Sequence, residues 1–373
     1  MHVRKIDTER ATDVRSFIGF PFDLYRGCLQ WVPPFVLDME TALNRGKHPF
    51  FLHSSAGFFV AQHNGRLVGR IAVFDNRNYN RYRHSKTAFF YHFDAVDDAA
   101  TARALFAAAC AWARVRGLDE IIGPKGPGAG DGIGLLVHGF EHRPAMGIPY
   151  NHPYYAQLLI DSGFQKRGDL LSGYLGGERD LPPKFYELAE KVQARRGFWI
   201  KSFASKREGR SWIPRIGRVL NASFADTQDY YPITNEEIAR AAEQLLTVAD
   251  PRMIKLVMLA DEVVGFVFAF PDLSAAIQRA GGRLLPFGWY HLLREPKRTK
   301  WCNVNGLGLV PQHRGMGANV LLYTELAKTL RDHGFEHADI VQVGEENIKS
   351  LAEMQALGVS WYKTHRVYRR SLE

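Results

Sequence analysis

The feature that most constrains this chain is a hairpin written twice. "GFFVAQ" and "RLVGRIAVF" are joined by the turn "HNG", and far downstream "MIKLVMLA" and "VVGFVFAF" are joined by Asp261 and Glu262, with Val68, Gly69 and Val264, Gly265 at matching places. Apolar runs broken by short polar turns predict antiparallel strand pairs. The same order of elements then returns in each half. "AFFYHFDAV", a helix capped by Asp97 or Asp98 and closed at Gly117, and the strand "DEIIGP" match "NVNGLGLV", a helix closed at Gly334, and "ADIVQV". Each half ends in a short helical pattern, "NHPYYAQLLIDSGF" or "NIKSLAEMQALG", that begins at an asparagine and stops at a glycine. Such self-similarity predicts two copies of one α/β plan, each a mixed, mostly antiparallel sheet flanked by helices.

A length of 373 residues suits two domains. The glycine- and proline-rich "LGGERDLPPKF" is the expected boundary, giving domains 1–176 and 177–373. A capping box, Thr234 to Glu237, opens a further helix in the second half, and an excursion over 274–300 has the character of a lid or binding loop. The three cysteines are odd in number and far apart, and "MHVRKIDTER" lacks the apolar core of a secretory signal, so a reducing cytoplasm is expected. No apolar run approaches a membrane span. The net charge of +9 favours anionic partners without choosing among nucleic acid, membrane and phosphate-bearing small molecules.

Two glycine-rich stretches compete as phosphate sites. "GPKGPGAGDGIG", Gly123 to Gly134, has no Gly-Lys-Ser/Thr ending, no G-x-G-x-x-G register and no amphipathic helix after it. It is expected to be a mobile loop bordering the cleft, with Lys125 irrelevant to phosphate. "GLVPQHRGMGAN" matches neither of those motifs but has the context: a strand ends at Val310, Pro311 stops it, Arg314, Gly315 and Gly317 form the loop, and an amphipathic helix follows. That context aims backbone N–H groups and the helix dipole at an anion.

This second half resembles the GNAT superfamily of acyl-CoA-dependent N-acyltransferases, whose pyrophosphate loop is R/Q-x-x-G-x-G/A. Two registers match: Gln312, Gly315, Gly317, and Arg314, Gly317, Asn319, the latter with asparagine at the last small position. The resemblance implies that acyl-CoA or acetyl-CoA is the cosubstrate, held by Leu309, Val310, Gln312, Arg314, Gly315, Met316, Gly317, Ala318, Asn319 and Asn347. It further implies direct attack by a primary amine on the thioester, with the Leu309 N–H as oxyanion donor. The first half looks like a degenerate copy, because "VDDAATAR" puts two aspartates where the pyrophosphate would lie.

The acid and base of that chemistry depart from the family pattern. A tyrosine often follows the asparagine by seven residues; here Met354 stands there. The strand with Asn303 and Asn305 carries no carboxylate, which leaves Glu345, or Glu346 beside it, as base at the strand-to-helix junction, against a first-turn role on the helix dipole. Tyr290, His291 and Tyr362 are weaker candidates. The twice-written "HGFEH" lacks a continuous helix to converge its histidines, so no metal is expected.

Two stretches interleave basic residues with aromatics, "RRGFWIKSFASKREGRSWIPRIGR" and "RLLPFGWYHLLREPKRTKW". They suit an anionic surface. The resulting expectation is an N-acyltransferase acting on an amine-bearing small molecule or lipid. Its lipid-facing form is similar to the GNAT-type bacterial ceramide synthases, with peripheral contact at the inner membrane surface. Two alternatives stand beside it: transfer from aminoacyl-tRNA, against which the intact Arg-Gly-x-Gly loop argues, and non-catalytic binding of acyl-CoA. DNA is not expected as a partner.

Overall fold

The strand that closes the first half lies beside strands of the second, and the strand that closes the second lies beside strands of the first. This computed structural model describes residues 1–128, 130–176 and 180–373. Along the chain its strands are β1 (His2–Lys5), β2 (Ser55–His63), β3 (Arg66–Asp75), β4 (Thr87–Ala95), β5 (Glu120–Gly123), β6 (Leu135–His138), β7 (Gln165–Gly176), β8 (Phe198–Ser202), β9 (Ile254–Leu259), β10 (Glu262–Pro271), β11 (Trp301–Leu309), β12 (His337–Gly344) and β13 (Ser360–Ser371). They form one sheet in the order β1-β2-β3-β4-β5-β13-β7-β12-β11-β10-β9-β8, with β6 set against β13. Among the described residues only β4 with β5 and β11 with β12 are parallel.

The exchange sits at the centre of that order. β7 pairs with β12 on one side and β13 on the other, and β13 continues to β5. The expected start of the second domain, Gly177, falls in residues 177–179, which lie outside the described residues. β7, ending at Gly176, already runs inside the sheet of the second half.

The duplication is legible in the geometry. Both hairpins form, with Ala61 opposite Gly69 and Val257 opposite Gly265. Each glycine clears room for a neighbour: a Cβ on Gly69 would lie 2.7 Å from Leu105, and one on Gly265 would lie 2.3 Å from Leu309. The fourth strand of each copy carries a bulge, where positive φ falls at His92 in β4 (49°) and at Gly306 in β11 (107°). A bulge leaves its extra residue unpaired and bends the strand, which prepares both strands to part from their parallel neighbours.

Helices cover both faces. Ala99–Arg114 and Ala318–Asp332 pack on one face of their respective copies. On the other, Ala11–Leu24 and Val36–Leu43 cover the first copy, and Lys206–Phe224 covers the second. Tyr231, Ile233 and Ile238, from the start of Asn235–Val248 and the loop before it, pack into the core of the first half, so the halves share buried apolar surface. Thr234 and Glu237 form the expected capping box. Asn151 does not cap a helix as its position suggested; its side chain bonds the Leu136 N–H and C=O, tying β6 to the loop before Tyr155–Asp161. No helix among the described residues is long and apolar enough to cross a membrane.

Candidate functional site

β11 and β12 pair only from Trp301 opposite His337 to Val304 opposite Ile340. Beyond that point β11 bulges at Asn305 and Gly306 and stays with β10, while β12 continues along β7. The two strands therefore part, and backbone groups on the inner edge of β11 face the gap. Val310 donates to the Val264 carbonyl of β10, so strand alternation turns the Leu309 N–H the other way, toward the opening.

The loop at the end of the gap has the form expected of an anion cradle. Pro311–His313 makes a single 3₁₀ turn, Gly315 (φ 72°) and Gly317 (φ 83°) take left-handed conformations, and Ala318–Asp332 begins at once with no side-chain cap. Its first N–H groups have no intrahelical partner. Gly317 is required twice over, since a Cβ there would also meet Val192 at 2.6 Å. Asn319 swings its amide to Glu353 at 2.8 Å, away from the loop, so its departure from a small residue leaves the backbone free. Arg314 braces the loop, donating to the Leu309 carbonyl at 3.2 Å and to Ser223 at the end of Lys206–Phe224 at 2.7 Å.

The corresponding place in the first copy is closed. There Asp98 caps Ala99–Arg114, accepting from the Ala100 and Thr101 N–H groups at 3.2 and 2.9 Å. The gap between β4 and β5 is bridged as well, by Lys125 N–H donating to the Phe90 carbonyl at 2.8 Å. A helix dipole already satisfied by a carboxylate repels a second anion.

Behind the gap the halves enclose a cavity of about 460 Å³. Asn305, Gly306 and Glu346 line it beside the gap, Arg167, Asp169 and Asp229 also line it, and the remaining walls are mainly apolar: Ile213, Gly217 and Leu220 from Lys206–Phe224, Ala242 and Leu246 from Asn235–Val248, and Phe266 and Phe268 from β10. The first basic-aromatic stretch thus forms this roof. Its outer face carries the charge, with Lys201 paired to Glu208, Arg210 to Glu243 at 2.8 Å, and Arg215 over the Trp212 ring.

A second cavity of about 460 Å³ adjoins the first and is more polar. Trp31, Phe35, His48, Arg70, His92 and Tyr150 are among its walls, and it shares Asn305, Gly128 and Asp131 with the apolar cavity. Most carboxylates lining the pair are committed. Asp94 is paired with Arg70, Asp169 with Arg366 and Lys166, Asp229 with Arg167, and Glu237 with His53. Asp38, Asp131 and Glu346 have no cation partner among the described residues, and of the three only Asp131 lines both cavities. Burial pushes its carboxyl up to about 6, while the Gly128 N–H, donating to it at 2.7 Å, pulls the other way.

The structure brings Leu309 to Asn319 together around one opening, and it gives the other expected residues structural contacts of their own. Glu345 is stitched to β7, its carboxylate accepting from the Asp169 N–H at 3.0 Å and lying 2.9 Å from Lys166. Asn347 caps Ile348–Ala356 through the Ser350 N–H, and Met354 is buried beneath that helix. Lys125 donates to the Asp229 carbonyl beneath the Tyr79 and Phe89 rings, and burial draws its ammonium down to about 8. Asp131, in the same glycine-rich stretch, is the residue that sequence reasoning passed over; its only signal was a lone acid among glycines.

This sheet order, with the paired bulges and the open helix start, is the GNAT fold in tandem. A tandem GNAT protein from the clavulanic acid biosynthesis pathway superposes with a TM-score of 0.57 at 13% identity, covering 100% of this chain and 98% of that one. A GCN5-related N-acetyltransferase from Anabaena variabilis gives a TM-score of 0.52 at 9% identity over 100% of this chain and 73% of that one. In sequence the chain is similar along its whole length to two curated proteins. It is 27% identical to a bacterial ceramide synthase of Caulobacter vibrioides, covering 98% of this chain and 97% of that one. It is also 27% identical to protein YghO of Escherichia coli, covering 96% and 93%. No family model matches.

Proposed function

We propose that this protein is an acyl-CoA-dependent N-acyltransferase that moves a fatty acyl group from CoA to the amine of a lipid-like acceptor. The observation that carries the reading is the continuity of three features: an uncapped helix start at Gly317, a strand gap at Asn305, and an apolar cavity leading inward from that gap. Such a run suits an anionic carrier outside, a thioester in the gap and a long alkyl chain within. A cavity of this volume lies in the range of sites that enclose small molecules, about 300–1,000 Å³. The full-length similarity to a ceramide synthase supports a lipid amine as acceptor.

In this reading residues 1–176 and 177–373 are a degenerate and a CoA-binding copy, and the backbone N–H groups of Gly315 to Asn319 hold the pyrophosphate. Leu309 N–H faces the carbonyl oxygen as negative charge develops there, a contribution of about 3 kcal/mol for one such donor. The amine enters by the more polar cavity. Asp131, rather than the ion-paired Glu345, takes its proton, directly or through one water. The departing thiolate needs little help, because a thiol with a pKa of about 8.5 is a good leaving group near neutrality.

The test is direct. Purified protein is incubated with acyl-CoAs of increasing length and a panel of amines that includes sphingoid bases, with thiol release and amide product followed together. Amide formation from long-chain acyl-CoA supports the proposal. Tight acyl-CoA binding with no product across the panel would instead mark a binding protein.

A further inference from the structure

Sixteen large apolar side chains are left exposed among the described residues, and six of them fall within ten positions, Leu284 to Leu293. Leu285, Phe287 and Leu293 are 78%, 72% and 70% exposed. Poor folding of the segment does not account for this. Its backbone is closely built: Trp289 N–H bonds the Leu284 carbonyl, and a Cβ on Gly288 would lie 1.7 Å from the Arg283 carbonyl oxygen. In the short helix Gly288–Arg294, Trp289 and Leu293 stand four apart and so share a face. The Trp289 indole N–H is already satisfied by the Pro286 carbonyl at 3.0 Å, which removes a polar cost of leaving water.

The surroundings are basic. Residues 279–300 contain six Lys and Arg against Glu295 alone, and Glu295 is taken by Arg279. Lys300 pairs with Glu336, whereas Arg283, Arg294, Lys297 and Arg298 have no carboxylate partner among the described residues. The segment also lies against the wall of the second cavity. Val36 N–H donates to the Gly282 carbonyl at 2.9 Å, and Gln278 donates to the carbonyls of Leu29 and Trp31. Leu29, on that neighbouring stretch, is 84% exposed, and Trp31 and Phe35 line the cavity.

We propose that Arg283–Leu293, with Leu29 beside it, is the surface on which the protein rests against an anionic lipid bilayer. The contact sets the neighbouring cavity at the membrane face, where a lipid amine enters without crossing water; that last clause rests on the acyltransferase reading, the docking itself does not. Charge chooses the occupant. A second copy packed face to face would set four unpaired cations against four more, while an anionic surface attracts each Lys or Arg near it. Apolar side chains flanked by basic ones suit the boundary between headgroups and acyl chains.

The experiment is vesicle flotation with the full chain. Phosphatidylcholine vesicles with and without phosphatidylglycerol are compared for the parent, for Leu285→Ser/Phe287→Ser/Leu293→Ser, and for Lys297→Glu/Arg298→Glu. The parent is expected to float with the anionic vesicles, less so at high salt, and both variants to lose at least tenfold in binding. Acyl-CoA affinity in solution and thiol release with a water-soluble amine should be unchanged, which separates this proposal from the catalytic one. Absence of flotation, flotation equal in parent and variants, or a parent dimer that the serine variant dissociates would each overturn the membrane assignment.

Discussion

Gln342 and Ile133 are joined by two hydrogen bonds across the halves of the molecule: the Ile133 N–H donates to Gln342 Oε1 at 3.1 Å, and Gln342 Nε2 donates to the Ile133 carbonyl. Gln342 sits in a left-handed conformation (φ 50°) within β12, beyond the point where it parts from β11, and Ile133 lies two residues after Asp131. The pair fixes the loop carrying the unpaired carboxylate to the strand that borders the gap. Gln342→Ala removes both bonds, at a cost of about 1–2 kcal/mol in stability. Turnover should fall about tenfold or more with the KM for acyl-CoA little changed, because position is lost and the phosphate loop is not. Steady-state kinetics on the folded variant check this; an equal rise in KM would show that Gln342 serves binding instead.

With Asp131 as the proposed base, the reaction should depend on pH in a defined window. Its folded pKa of about 6 lies above the ordinary carboxyl value of 3.8, so the group works as a base only as pH rises through about 6. The rate at saturating acyl-CoA should climb through that region, and Asp131→Asn should lose the limb along with roughly 10²-fold or more in kcat. Stability should move in the opposite sense. A raised carboxyl pKa means that ionisation opposes folding, an effect that sets in from about pH 4 and is complete above about 6, so the asparagine variant gains relative stability there. Thermal unfolding at pH 4 and pH 8 compares the two proteins.

These two residues also mark where sequence reading stops. The hairpins, an aspartate cap at 97 or 98, the Thr234 capping box and the Gly317 helix start are local, each written in a few adjacent residues, and all were legible, with the structure choosing Asp98 for the cap. The strand exchange was not, because which strand β7 or β13 lies beside is set by partners far away in sequence, which a local pattern does not name. The cavity hid for a related reason. Ile213, Gly217 and Leu220 recur at helical spacing beneath a run of arginines, and the charges drew the eye to the outer face. Asp131 carried no pattern at all; only the folding of a glycine loop against two cavities gives it meaning.

The contrast between the two helix starts yields a third prediction. Asp98 supplies a carboxylate at the first copy's helix, and Gly315 stands in open space with φ 72° at the second. Gly315→Asp places a negative charge at the expected pyrophosphate position, while Gly315→Asn has the same shape without it. Both should cost roughly 1–2 kcal/mol or less in stability, since Asn and Asp tolerate the left-handed region best among non-glycine residues. The aspartate should raise the acyl-CoA dissociation constant at least tenfold, more at low salt, and the asparagine far less. Calorimetric titration decides it; equal losses would implicate the backbone alone.

On the proposed acyltransferase reading, the apolar cavity predicts how acyl donors rank. Each CH₂ drawn from water into apolar surroundings contributes about 0.8 kcal/mol, so kcat/KM should rise about fourfold per added CH₂ until the chain reaches the far wall. Acetyl-CoA, which leaves the depth unfilled, should be a poor donor. Ala242 lines the cavity from Asn235–Val248, and Gly217 lines it from Lys206–Phe224, already so close to Ile238 that a Cβ would stand 2.7 Å from it. Ala242→Phe therefore fills free space, where substitution at Gly217 would force the helices apart. Its optimum should shift to shorter chains, with activity toward the shortest preserved and the phosphate loop untouched. Competition between acyl-CoAs of different length, read by product mass, measures the shift directly, and an unchanged optimum would put the acyl chain somewhere other than this cavity.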